Sequence, residues 1–125
     1  MYDKDMLLDV LHQTLEAVQR VLKRFEPVTS VDLFTDTADG LEKLDSICML
    51  IIAIGESLKN IDKITEKTLL AQYPEIDWKG VKGMRDIISH HYFDIDAEEI
   101  FWVCENKMKP LAETMAKIIE DIKSG

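Results

Sequence analysis

Cysteine, proline and glycine are scarce in this chain, with two, three and five copies in 125 residues. Cys48 and Cys104 stand far apart, each within an apolar run and without C-x-x-C spacing, so they read as buried, reduced core thiols and not as a disulfide framework. The N-terminal Met1-Tyr2-Asp3-Lys4-Asp5 lacks the basic start and apolar core of a secretory signal. The longest strongly apolar run, Ile47 to Ile54, falls well short of the ~20 residues a membrane span needs. A cytoplasmic protein that does not enter a membrane is expected. Basic residues are also in deficit: 15 Lys and Arg against 24 Asp and Glu leave a net charge of −9, which argues against holding nucleic acid by a broad basic stripe. The chain has no G-x-S-x-G, P-loop, dinucleotide fingerprint or H-E-x-x-H, and no repeat, low-complexity tract or strand run. Its length suits one domain, residues 1–125, able to bury a core without staples.

What is present is helical periodicity. Met6, Leu7, Val10, Leu11, Leu15, Val18, Val21, Leu22 and Phe25 recur with a 3.6-residue period, predicting an amphipathic helix from about Asp3 to Phe25 that stops before Pro27. Its His12 has polar neighbours and reads as a surface residue. Residues 28–36 form a connection containing Val31, Leu33 and Phe34, and Thr35, Asp36 and Thr37 offer caps for a second long helix to about Asn60. That helix is apolar on every side between Ile47 and Ile54, which fits either a bundle core or a homodimer seam. Gly55 within it implies a close helix crossing, while Glu56 either points at the polar motif described below or sits at a solvated rim. A brief helix is expected over Thr65–Gln72, and Asp77 should cap another from Trp78 to His91. Asp96 and Glu99 resemble a capping box for a final helix, Ala97 to Lys123, which Pro110 should kink or divide. The expected fold is all-α, an antiparallel bundle of four main helices with short extra helices.

Polar chemistry concentrates in one stretch, Gly83 to Phe93. Arg85 presents a planar fork of donors suited to phosphate, and His90 carries a proton that is mobile near neutral pH. Asp86 lies four residues before His90 on the same helix face, so its carboxylate can hold the imidazole in one tautomer. Arg85 and His90 are five apart, a separation of roughly 140° on a regular helix. Either the helix ends or bends here, or a second copy of the chain completes the site. Lys79, Lys82 and Arg85 against Asp86 alone make a small basic patch on an acidic body. Adjacent His90 and His91 diverge on a helix, so no metal site is expected. Gly80-x-x-Gly83 lacks the strands that flank a KH-type clamp, and serves close helix approach or leaves room for a phosphate beside Arg85. Taken alone, the stretch also fits a helix end dressed with solvated polar residues, its histidines near the negative end of the dipole.

Arg85, His90 and Tyr92 together spell R-x4-H-x-Y, and the segment resembles that motif of the HEPN superfamily, specifically the HepT-like toxins of toxin–antitoxin pairs. Ile54-Gly55-Glu56 and Tyr73-Pro74-Glu75-Ile76-Asp77-Trp78 are similar to the family's mid-chain signature and to its lead-in to the motif; Asp86 stands where Asn is more frequent. The resemblance implies a homodimeric, cofactor-free and metal-independent endoribonuclease, the toxin of a type II- or VII-like system. In such an enzyme a ribose 2′-hydroxyl attacks the adjacent phosphorus of RNA and leaves a cyclic phosphate. His90 is then the acid or base, Arg85 the phosphate clamp, Asp86 the residue that orients His90, and Tyr92 lines the groove; His91, Lys82 and Glu56 are auxiliary candidates. It also implies a minimal nucleotidyltransferase antitoxin that transfers AMP from ATP onto Tyr92, blocking the site by charge and bulk. The alternative is a non-catalytic helical dimer that binds a nucleotide or a partner protein through the same patch.

Overall fold

The computed structural model describes residues 2–91 and 93–125. Helix α1, Lys4–Phe25, begins where the Asp3 carboxylate accepts hydrogen bonds from the N–H groups of Asp5 and Met6, and ends with Lys23 and Arg24 favourably placed against the dipole. Its periodic face buries Leu7, Leu11, Val18 and Val21 completely, at roughly 1.5–3 kcal/mol for each side chain. His12 is exposed, as its polar neighbours imply. The connection contains a short helix, α2, Asp32–Thr35, whose Phe34 packs with Phe25 and Phe101 at ring-centroid separations of 6.2 and 6.4 Å.

Helix α3, Ala38–Thr65, starts on the Thr37 hydroxyl and outruns the expected end at Asn60 by more than a turn. Ile61, Asp62 and Thr65 are buried and prolong the helical face, and the Thr65 hydroxyl donates to the Ile61 carbonyl at 2.8 Å instead of opening a new helix. Left-handed Glu66 and Lys67, with φ of 54° and 63°, stop α3. Only a 3₁₀ turn, Leu70–Gln72, remains of the helix expected over Thr65–Gln72. Nor is α3 buried on every side, because Met49 is 72 % exposed and Leu41 46 %.

Helix α4, Trp78–His90, begins where Asp77 accepts from the Gly80 N–H at 3.0 Å, matching the expected start and ending one residue early. Its lead-in is anchored twice: Trp78 Nε1 donates to the Tyr73 carbonyl, and the Tyr73 hydroxyl donates to Asp121 Oδ2 at 2.6 Å. The final helix is divided into α5, Ala97–Asn106, and α6, Met108–Ser124. The break falls upstream of Pro110, since proline has no N–H for the Asn106 carbonyl and its ring crowds that group. Asp96 caps α5 by accepting from the N–H groups of Glu98 and Glu99.

The long α3 packs on α1 along one side and on α4 along the other, while α1 also meets α6. The result is an all-α bundle, and no strand occurs among the described residues. Cys48 and Cys104 are free and buried, as expected. No helix of the described residues is long and apolar enough to cross a membrane.

Candidate functional site

The motif lies on the seam between α3 and α4, which run antiparallel, Gly55 meeting Arg85 and Asp62 meeting Lys82. A Cβ added to Gly55 would stand 3.0 Å from Arg85 Cβ and 3.5 Å from the Lys82 carbonyl oxygen, so the glycine is what lets α4 come this close. This is the close crossing that a mid-helix glycine implied.

Arg85 is therefore pressed onto α3, with about a third of its side chain exposed. Its Nε lies against Glu56 Oε1 as an ion pair without hydrogen-bond geometry, and its Nη1 donates to Asp86 Oδ1 at 2.9 Å. Glu56 thus points at the motif although half exposed. Asp86 departs from the expected arrangement: among the described residues its carboxylate bonds to Arg85 and not to His90. The approach of α3 holds Arg85 where its planar, permanently charged guanidinium meets the neighbouring carboxylate. Further along the seam, Lys82 Nζ donates to Asp62 Oδ2 at 2.5 Å, with the Asp62 side chain only 12 % exposed.

His90 is the last residue of α4 and His91 its cap; both are exposed. The His91 N–H is shared between the Ile87 and Ile88 carbonyls at 3.2 and 3.3 Å, a tightening common at helix ends. The helix runs unbroken from Arg85 to His90, so the two side chains leave it in different directions. Tyr92 lies outside the described residues. Among the described residues no group of three or more His, Cys, Asp or Glu side chains is arranged to hold a metal ion. Burial first, then the hydrogen bond to Asp121, pushes the Tyr73 phenol up to about 12, so this tyrosine stays protonated and anchors the lead-in.

Asp62 went unnoticed in the sequence because the helix was expected to stop before it. Its position one turn past Leu58, with Ile61 beside it, is the periodic signal that marks it as part of α3.

Comparison with known proteins bears on the same residues. No solved structure matches the chain. Two Methanocaldococcus jannaschii proteins, "Putative RNase MJ0127" and "Putative RNase MJ1216", are 36 % and 37 % identical to it over 70 and 71 residues. Each match takes in 56 % of this chain and 54 % of the relative, so the chain spans about half the length of the curated relatives it matches. The family model described as Ribonuclease HepT-like matches residues 14–118, covering both helices of the seam and the whole motif. On that match, the chain belongs to the HepT-like ribonuclease family.

Proposed function

We propose that this protein is a metal-independent endoribonuclease and the toxin of a toxin–antitoxin pair. The observation that carries the reading is part-exposed Arg85 and exposed His90 on one helix, α4, in a chain of a ribonuclease family. In the reaction, His90 takes the proton of a ribose 2′-hydroxyl, the oxygen attacks the adjacent phosphorus, and the P–O5′ bond breaks as the 5′-oxygen takes a proton from a protonated His90 of the second copy, giving a 2′,3′-cyclic phosphate. Arg85 neutralises charge that develops on the phosphoryl oxygens once phosphate displaces Glu56 and Asp86 from its guanidinium. Asp86, released from Arg85, is then free to orient His90.

Because Arg85 and His90 diverge on one helix, a homodimer supplies the pair from two copies. Leu41 and Met49 on α3 and Ile87 on α4 are exposed large apolar side chains of the two helices, the kind such a dimer would cover. The antitoxin in this reading is a minimal nucleotidyltransferase: the Tyr92 hydroxyl attacks the α-phosphorus of ATP, pyrophosphate leaves, and the adduct occludes RNA. Intact-mass analysis after co-expression with an active nucleotidyltransferase should show an AMP adduct that Tyr92→Phe abolishes; an unmodified native chain would refute this part.

A non-catalytic dimer that binds a nucleotide or partner protein is the second reading, favoured by one observation: Arg85 already has two carboxylate partners. Incubation of bulk tRNA and messenger RNA with purified protein in excess EDTA separates the two. Cleavage is expected from the native chain and a loss of ~10²–10⁴-fold from His90→Ala, with Arg85→Ala also impaired. Absence of cleavage by a folded, unmodified native chain would leave the binding reading.

A further inference from the structure

Beside Arg85 the same seam opens into a concavity of about 820 Å³ between the C-terminal half of α3 and the N-terminal half of α4. Lys59, Lys63 and Lys67 line it from the α3 side, and Lys79 and Lys82 from α4. It collects five of the 15 basic residues but three of the 24 acidic ones, reversing locally the sign of a chain at −9. Two of those carboxylates are already engaged, Asp62 by Lys82 and Asp86 by Arg85. Among the described residues Lys59, Lys63, Lys67 and Lys79 form no ion pair. Four ammonium groups against the one unengaged carboxylate, Glu66, leave the hollow net positive, and their mutual repulsion is a cost that a bound anion removes.

A second, independent observation is Gly83, which lies in the same hollow. Glycine inside a helix is normally unfavourable, and at Gly55 the close approach of Arg85 explains it. At Gly83 a Cβ would meet nothing within 4 Å. No neighbour in the fold requires the glycine, but a ligand that approaches the α4 backbone would.

The ligand's shape follows from the donors. Lys59 and Lys63, four apart on α3 with Lys67 just past its end, and Lys79 and Lys82, three apart on α4, line the two walls as rows and not as a convergent nest for one phosphate. Lysine acts as a point charge without directional demands, which suits sequence-independent contact with a phosphate chain. Helices packed about 8–10 Å apart leave a trough too narrow for a duplex. We propose that this trough is a phosphate track that carries single-stranded RNA from Arg85 toward the C-terminal end of α3, with Gly83 keeping its floor open. The identity of the polyanion as RNA rests on the ribonuclease reading; the track itself does not.

The test is anisotropy of a fluorescein-labelled 2′-O-methyl RNA strand, which lacks the attacking hydroxyl, titrated with full-length native protein across a salt series. In the Lys59→Gln/Lys63→Gln/Lys67→Gln variant the slope of log K against log salt should fall in magnitude by about 2, and binding at ~0.1 M salt by roughly a hundredfold. With cleavable RNA the same variant should raise KM and leave kcat unchanged. Gly83→Leu should keep or raise Tm yet weaken binding, and Lys79→Gln alone should lower the magnitude of the slope by about 0.7, a second reading if the triple variant folds poorly. Native-like binding, salt slope and KM in the lysine variants would overturn the track while leaving the ribonuclease reading intact. Lysine-dependent binding by a native chain that cuts no RNA would uphold the track and remove the ribonuclease reading. Competition by polyglutamate as effective as that by RNA would overturn the assignment in favour of an acidic polypeptide.

Discussion

The two sides of α3 are built differently. Toward α1 the contact draws on fully buried aliphatic residues of α1, Leu7, Leu11 and Val18. Toward α4 the apolar packing of Met84 and Ile88 is interrupted by a glycine under an arginine and by a lysine–aspartate pair. The first side is optimised for burial, which is non-directional and scales with area. The second sacrifices some burial to hold charged groups in fixed places, which is what a site for a phosphorylated ligand needs.

Substitutions on the two sides should therefore separate stability from activity. Leu11→Ala, on the α1 side, should cost about 2–5 kcal/mol in urea melts and leave cleavage per folded molecule unchanged. Gly55→Val, on the α4 side, forces its side chain into Arg85 and should cost about 1–3 kcal/mol while also impairing cleavage, a double loss the first variant should not show. Asp62→Ala leaves Lys82 without its partner; a loss of about 1–3 kcal/mol is expected, and replacing Lys82 by Met as well should recover part of it in a double-mutant cycle.

The buried thiols offer a probe of the interior by pH. Burial, and secondarily Asp45, pushes Cys48 up to about 11, and burial, and secondarily Cys48, pushes Cys104 up to about 12. The unfolded chain loses these protons near pH 9.0 while the folded chain keeps them. Stability present below that pH should decline as pH rises through the folded values, and a Cys48→Ala/Cys104→Ala variant should show a shallower alkaline decline. The smallest stability effect belongs to Glu56→Gln. Its half-exposed pair with Arg85 is worth no more than about 1 kcal/mol, but the change frees a guanidinium edge, so RNA affinity should rise and KM fall. An unchanged KM would mean that Glu56 does not compete with substrate for Arg85.

Local chemistry was the legible part of the fold. Asp3, Thr37, Asp77 and Asp96 are all short polar residues at the edge of an apolar period, and all four cap helices. Pro110 announced a break that fell a few residues upstream, where its missing donor is felt. The end of α3 was harder, because nothing near Asn60 distinguishes a stop from one more turn; burial of Ile61 and Thr65 against distant elements decides it. In the candidate site, the motif and Gly55 were visible as spacing and as an exception to helix propensity. The engagement of Asp86 with Arg85 in preference to His90 was not, since both partners lie within reach along one helix and only the approach of α3 fixes where Arg85 points.

The amino-acid sequence by itself determined that this chain is helical, where most helices begin, and that Arg85, His90 and Tyr92 stand in R-x4-H-x-Y spacing, because periodicity, caps and motif spacing are properties of neighbouring residues. Only the tertiary structure decided that Glu56 meets Arg85, that Asp62 meets Lys82 across 20 residues of sequence, and that lysines from two helices share one trough. Those pairings depend on which faces of α3 and α4 come together, and the global burial of the apolar stripes sets that geometry, with the polar residues carried to their places by it.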